Sequence, residues 1–136
     1  MNDAAPTMPE NPTMTLANEF AEMLKTGKFD EAMDKFYADD AVHVEAMEDP
    51  TGQFPKVTEG KEALKKSSEW WEANNEVHGY EQDGPYPHEN KFIIVMKMDI
   101  TPKAGPMADQ RMDMHEACHY HVKDGKISKA EFYYSC

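Results

Sequence analysis

The chain has 136 residues, 40% of them hydrophobic, which is the size and composition of one domain around one core. Its 26 acidic residues against 14 basic ones give a net charge of -12 with no Lys/Arg cluster, so a nucleic-acid duplex or an anionic membrane is repelled rather than bound. Two cysteines, Cys118 and Cys136, are too few for a disulfide framework and suggest a reducing, cytoplasmic setting, and apolar runs such as Phe92 to Met96 are too short to span a bilayer.

Residues 1–12 hold Pro6, Pro9 and Pro12 among polar residues. They read as a disordered tail rather than a signal peptide, because they lack a basic start and an apolar stretch. The ordered domain is then 13–136, opening at Thr13 or Thr15 as a helix cap. Leu16, Phe20, Met23 and Leu24 recur at helical spacing, and Gly27 supplies a C-terminal stop. A second helix follows with Phe29, Ala32, Met33 and Phe36 on one side, so the two form an antiparallel hairpin that Asp39-Asp40 ends. Ala41 to Ala46 alternates and is rich in valine, which predicts a strand. Glu48 to Thr58 is a loop with room for a very short strand. Gly60 to Asn74 predicts a third helix with Leu64, Ser67, Ser68, Trp71 and Trp70 turned inward. Four strand-like segments close the chain: Glu76 to Gln82, Phe92 to Thr101, Arg111 to Val122 and Ile127 to Tyr134. Turns are expected at Asp83-Gly84-Pro85 and Pro102 to Pro106, with an Asp124-Gly125 hairpin near the end. Helices first and an antiparallel meander after them define an α+β fold.

Strand alternation sorts the polar residues. His43 and Glu45 share one face of the first strand. On the long strand, Met112, Met114, Glu116, Cys118 and Tyr120 share a mostly apolar face, and an acid on such a face is either functional or paired. His78 is a candidate partner. A polar cluster of Glu45, His43, His78 and Glu116 is therefore expected inside an apolar enclosure walled by Trp70, Trp71, Phe132 and Tyr134. Whether it serves catalysis or is a structural hydrogen-bond network stays open at this point. The opposite face of the long strand carries His115, His119 and His121. No Cys/His set completes a recognised metal spacing, so these are read as a polar face that packs on a second subunit, and neither metal nor cofactor is expected. No phosphate loop, nucleophile elbow or Ser-His-Asp ordering is found.

Three segments resemble those of a known family: Phe36-Tyr37-Ala38-Asp39-Asp40-Ala41-Val42, Thr58-Glu59-Gly60-Lys61-Glu62-Ala63-Leu64, and Asp124-Gly125-Lys126-Ile127 with Glu131-Phe132-Tyr133-Tyr134. They are similar to the helix-to-strand junction, the third-helix opening and the final hairpin of SnoaL-like, nuclear transport factor 2-like proteins, the group that includes ketosteroid isomerase. The resemblance runs from Thr15 to Tyr134. It implies a cone of three helices on a strongly curved, mainly antiparallel sheet, and a homodimer through the open sheet face. It also implies acid/base chemistry on a small apolar molecule in an enclosed pocket, of isomerase, cyclase or hydrolase type, or else non-catalytic binding by the same cone. Glu45 falls where ketosteroid isomerase carries its base; Asp49, in Glu48-Asp49-Pro50, matches the family wording only with an insertion. Phe20 and Cys118 stand near the positions of that enzyme's tyrosine and second acid, which argues against its oxyanion mechanism here.

Overall fold

The computed structural model describes residues 11–48 and 55–134. Asp49 and Cys136 lie outside them, as do the tail residues before Asn11.

Helix α1 spans Pro12–Lys25. It begins slightly earlier than Thr13: the Asn11 side chain accepts from the Thr13 N–H, and Pro12 fills the first turn, where no N–H is needed. Ala17, Phe20, Ala21 and Leu24 form its buried stripe. Its end is closed by Gly27 at a positive φ of 77°, with Lys28 N–H donating to Met23 O and Gly27 N–H to Leu24 O. Helix α2, Phe29–Phe36, buries Ala32, Met33 and Phe36 beside α1. Helix α3, Lys61–Asn74, fully buries only Leu64. Trp70 and Trp71 are half-buried and are not members of the central core.

The strands are β1 (Tyr37–Val44), β2 (Val57–Glu59), β3 (Asn75–His88), β4 (Lys91–Pro102), β5 (Met112–Lys123) and β6 (Lys126–Tyr133), ordered β2-β1-β6-β5-β4-β3 in one open sheet. All neighbours run antiparallel except β1 and β6, which are parallel. Two segments differ from the sequence expectation. The second helix stops at Phe36, so Tyr37 to Asp40 belong to β1 instead of ending the hairpin. Asp83-Gly84-Pro85 is a bulge inside β3, not a turn. Gly84 has φ 106°, and a Cβ there would lie 2.8 Å from Ile93 O, so glycine is required. Pro85 is tolerated because β3 is an edge strand. The Asp124-Gly125 loop is tight as expected, with both residues at positive φ.

The helices cover one sheet face. Phe20 lies at the centre of the core there, 5.0 Å from the Tyr120 ring, 6.1 Å from Tyr37 and 5.9 Å from Phe36, measured between ring centroids. Phe92, Ile94 and Met96 of β4, Cys118 and Tyr120 of β5, and Ile127 and Ala130 of β6 complete it.

Candidate functional site

Among the described residues, a group of polar side chains around Glu116 interrupts this apolar face. Glu116 points inward from the middle of β5, in register with the buried Met96 of β4 and one step along the face from buried Cys118. Burial, and after it the charge of Glu45, push the Glu116 carboxyl up to about 7. The Cys118 thiol lies 3.7 Å from Glu116 Oε1, and its own pKa is raised well above the ordinary value by burial and by that carboxylate. Tyr80, on β3, is raised by burial and then by Cys118 and Glu116, and its hydroxyl donates to Gln82 Oε1 at 2.5 Å.

Glu45 reaches the same region from the end of β1. Burial raises it, opposed by a hydrogen bond from Tyr134, whose hydroxyl donates to Glu45 Oε2 at 2.9 Å. His43 sits two residues earlier. Its Nε2 is 2.6 Å from the Tyr37 hydroxyl, and its ring meets Phe132 edge-on at 4.8 Å. Burial lowers His43 to about 4 and raises Tyr37, so at neutral pH both are uncharged.

The expected cluster therefore forms in part. Glu45 and Glu116 are within electrostatic reach of each other, and Phe132 and Tyr134 are at hand, Tyr134 as a hydrogen-bond donor rather than plain wall. Tyr120 stacks on Phe92 at 4.9 Å, and its phenol is raised first by burial and then by Cys118, Tyr37 and Glu116. His78 is not brought in. It lies on an exposed stretch of β3 with Nε2 2.7 Å from Thr101 Oγ1 and a 4.0 Å contact to Glu76. The β3–β4 register shifts between Val77 and Gly79, so alternation counted along β3 does not carry through this point. Tyr37 and Tyr80 are members of the site that sequence reasoning missed. An earlier start for β1 would have brought Tyr37 into consideration.

An open cleft of about 590 Å³ lies at the β3 edge, where Tyr80 and Gln82 are on the covered face and Glu81, Asp83, Val95 and Lys97 on the helix-free one. Lys25, Tyr80, Glu81, Gln82, Asp83, Val95 and Lys97 line it. Glu45 and Glu116 are not among its lining residues, but Tyr80 lines it and is electrostatically coupled to Glu116.

On the helix-free face, His119 and His121 project from β5 beside Glu131 of β6, with His119 and Glu131 in direct register. His121 Nε2 is 2.6 Å and His119 Nδ1 3.6 Å from Glu131 Oε1. The hydrogen bond with His121 holds the Glu131 carboxyl below its ordinary value, and burial lowers His119. His115 lies further along this face, exposed, in register with Lys97.

A three-helix layer on an open mixed sheet, with acids on the covered face, defines a cone of the nuclear transport factor 2-like class. The class is seen again in a protein of unknown function from Burkholderia pseudomallei, 8% identical, with a TM-score of 0.72 and coverage of 93% of this chain and 92% of that one. Within the class, residues 12–134 match the SnoaL-like domain, and the chain belongs to that family. A Mesorhizobium loti protein, described as a SnoaL-like polyketide cyclase and also as a carbohydrate phosphatase, is 43% identical over 89% of this chain and 97% of its own, with a TM-score of 0.81. A Catenulispora acidiphila protein with the ketosteroid isomerase-like fold, solved in complex with trimethylamine, is 19% identical, with a TM-score of 0.64 over 95% of this chain and 88% of its own. No curated protein matches.

Proposed function

We propose that this SnoaL-like domain is a small-molecule enzyme that moves a proton on a small apolar, carbonyl-bearing compound, with Glu116 as the acid/base group and Glu45 as its charged neighbour. The observation that carries the reading is the Glu116 carboxyl, inward on an apolar face and pushed to about 7 by burial and by Glu45. A general acid/base works best when its pKa lies near the working pH, and a carboxyl at 7 meets that condition where an ordinary one does not. His43, at about 4, is too weak a base to share the role and instead orients Tyr37. Glu45, where the resemblance puts the base, is here the neighbour whose charge raises Glu116. Tyr134 keeps the Glu45 charge in place, and that charge favours the protonated form of Glu116. The cyclase description of the 43% identical relative is consistent with such a substrate class, since cyclisations of that kind begin at an acidic C–H beside a carbonyl.

The test needs no knowledge of the natural substrate. Small apolar ketones with an acidic α-C–H are incubated with the protein in D2O, and exchange is followed by NMR. The expected outcome is exchange at least about 100-fold faster with the wild type than with Glu116→Gln, the usual contribution of a placed acid/base. Equal rates across the panel overturn the proposal.

A second reading, a non-catalytic binding or association module, draws support from the same bonds: His43 is satisfied by Tyr37 and Glu45 by Tyr134, as in a structural network. It predicts ligand affinity that survives Glu45→Gln and Glu116→Gln. For association, the helix-free face is the candidate. There Ile93, Val95 and Ala117 adjoin His119, and Lys91, Lys97 and Lys129 offset the acids that dominate elsewhere. Sedimentation showing a monomer at all concentrations up to about 100 μM would rule out a homodimer through that face in any working range.

A further inference from the structure

His119, His121 and Glu131 take no part in the acid pair, because they stand on the opposite face of the sheet. Two imidazoles at positions i and i+2 of one strand point the same way, and a carboxylate in direct register on the next strand lies within about 5 Å of them. A bulge at His121/Val122 makes this possible: without it Ala130, not Glu131, would face His119. The two rings are 4.5 Å apart and tilted by 37°. One donor atom from each of the three residues lies within 4.8 Å of the others.

We propose that His119, His121 and Glu131 bind a divalent transition-metal ion of the zinc class on the helix-free face of the sheet. Donors about 2.0 Å from a tetrahedral ion lie about 3.3 Å from one another. The His119 Nδ1 to Glu131 Oε1 separation of 3.6 Å is already close to that edge. The 2.6 Å bond between His121 Nε2 and Glu131 must open slightly, which a small side-chain rotation achieves. Two nitrogens and one carboxylate oxygen suit Zn(II), Ni(II) or Cu(II); Ca(II) and Mg(II) prefer all-oxygen sets. Three protein donors leave a fourth position for water or another ligand. Lys91 and Lys129, both in register with His121, oppose the cation, so the site is expected to bind in the micromolar range rather than tighter.

The test is calorimetric titration of the whole chain with zinc chloride at pH 7.5 in a buffer that does not chelate. The wild type should bind one ion per chain. Glu131→Gln, His119→Ala and His121→Gln should each weaken binding at least about tenfold, the least that loss of a direct ligand costs when even outer partners cost that much. His115→Ala and His78→Ala should leave it unchanged, with circular dichroism showing every variant folded. The Gln replacements keep the local hydrogen bonding, so a lost site is not mistaken for a lost fold. Absence of saturable binding by the wild type below about 100 μM zinc, or affinity reduced less than tenfold in Glu131→Gln and His121→Gln, overturns the assignment.

Discussion

The two faces of β5 put similar chemistry into opposite environments. Inward, Glu116 lies among Met96, Cys118 and an aromatic core; outward, His119 and His121 lie beside Glu131 and between lysines. Inside, burial is the first cause of each shift, and it disfavours charge of either sign: the Glu116 carboxyl rises to about 7 and the His43 imidazole falls to about 4. Their ordinary order is thereby reversed, and between those two pH values both groups are neutral. Outside, a hydrogen bond outweighs burial for Glu131, and the carboxylate is held ionised. What an acidic side chain does here is decided by the face it is on.

The largest expected effects test the reversal. Glu116 has a folded pKa above its unfolded one, so its protonation stabilises the fold below the ordinary 4.5, and this contribution is lost as pH rises through 7. Removing the ionisable group should leave stability near pH 4 almost unchanged and raise it at pH 9. By the usual conversion the gain of Glu116→Gln over wild type between those two pH values is about 3 kcal/mol, read from urea midpoints. His43 has the opposite sign. Its folded pKa lies below its unfolded 6.5, so its contribution is present above 6.5 and lost as pH falls through 4. His43→Gln should therefore remove about 3 kcal/mol of acid destabilisation. If both variants track the wild type in parallel across pH 4 to 9, the inner face is wet and the contrast between the faces disappears.

A smaller effect is expected from Tyr134→Phe, which deletes the donor to Glu45 while keeping the ring. Loss of a hydrogen bond to a charged, partly buried acceptor costs about 1.5–3 kcal/mol at neutral pH. With that bond gone, the influence that lowers the Glu45 pKa is removed, and its pKa must rise further. Carboxyl-labelled NMR titration checks the direction. An unmoved Glu45 would mean that water replaces the hydroxyl.

Local pattern carried much of this into the sequence. The α1 stripe with Gly27, the hairpin loop at Asp124-Gly125 and the alternation of β5 are short-range facts, and they were enough to turn Glu116 inward and the histidines outward. What remained hidden depends on register between distant segments. Tyr134 meets Glu45 because β1 runs parallel to β6, a pairing across 89 positions that no local spacing encodes. The place of His78 is not legible in the sequence, because the register shift beside it breaks the count along β3. The pairing of Glu131 with His119 is not legible in the sequence for a related reason. Counting back from the tight turn, where Lys123 pairs with Lys126, leads to Ala130; the bulge moves the pairing by one and exchanges the face. Tyr37 was lost at a boundary, since the change from helix to strand after Phe36 happens without a glycine or proline to mark it.

The smallest effect falls on the outer face, where the carboxyl shifts in the opposite direction. Glu131 is held by His121 at 2.6 Å and by His119 at 3.6 Å, with its side chain 29% exposed. Water screens such a pair, so Glu131→Gln should cost less than about 1 kcal/mol at pH 7 in the absence of metal. Its pKa is depressed, so the contribution exists above the unfolded carboxyl value and fades as pH falls through the folded one, the reverse of Glu116 on the next strand. The two Glu→Gln variants should therefore diverge: at pH 9 Glu116→Gln is more stable than wild type, while Glu131→Gln is equal to it or slightly less stable. If instead Glu131→Gln is the more stable at that pH, the outer carboxylate pays a desolvation cost of its own. That face would then be covered in solution, and dilution of the wild type should abolish the gain by exposing it.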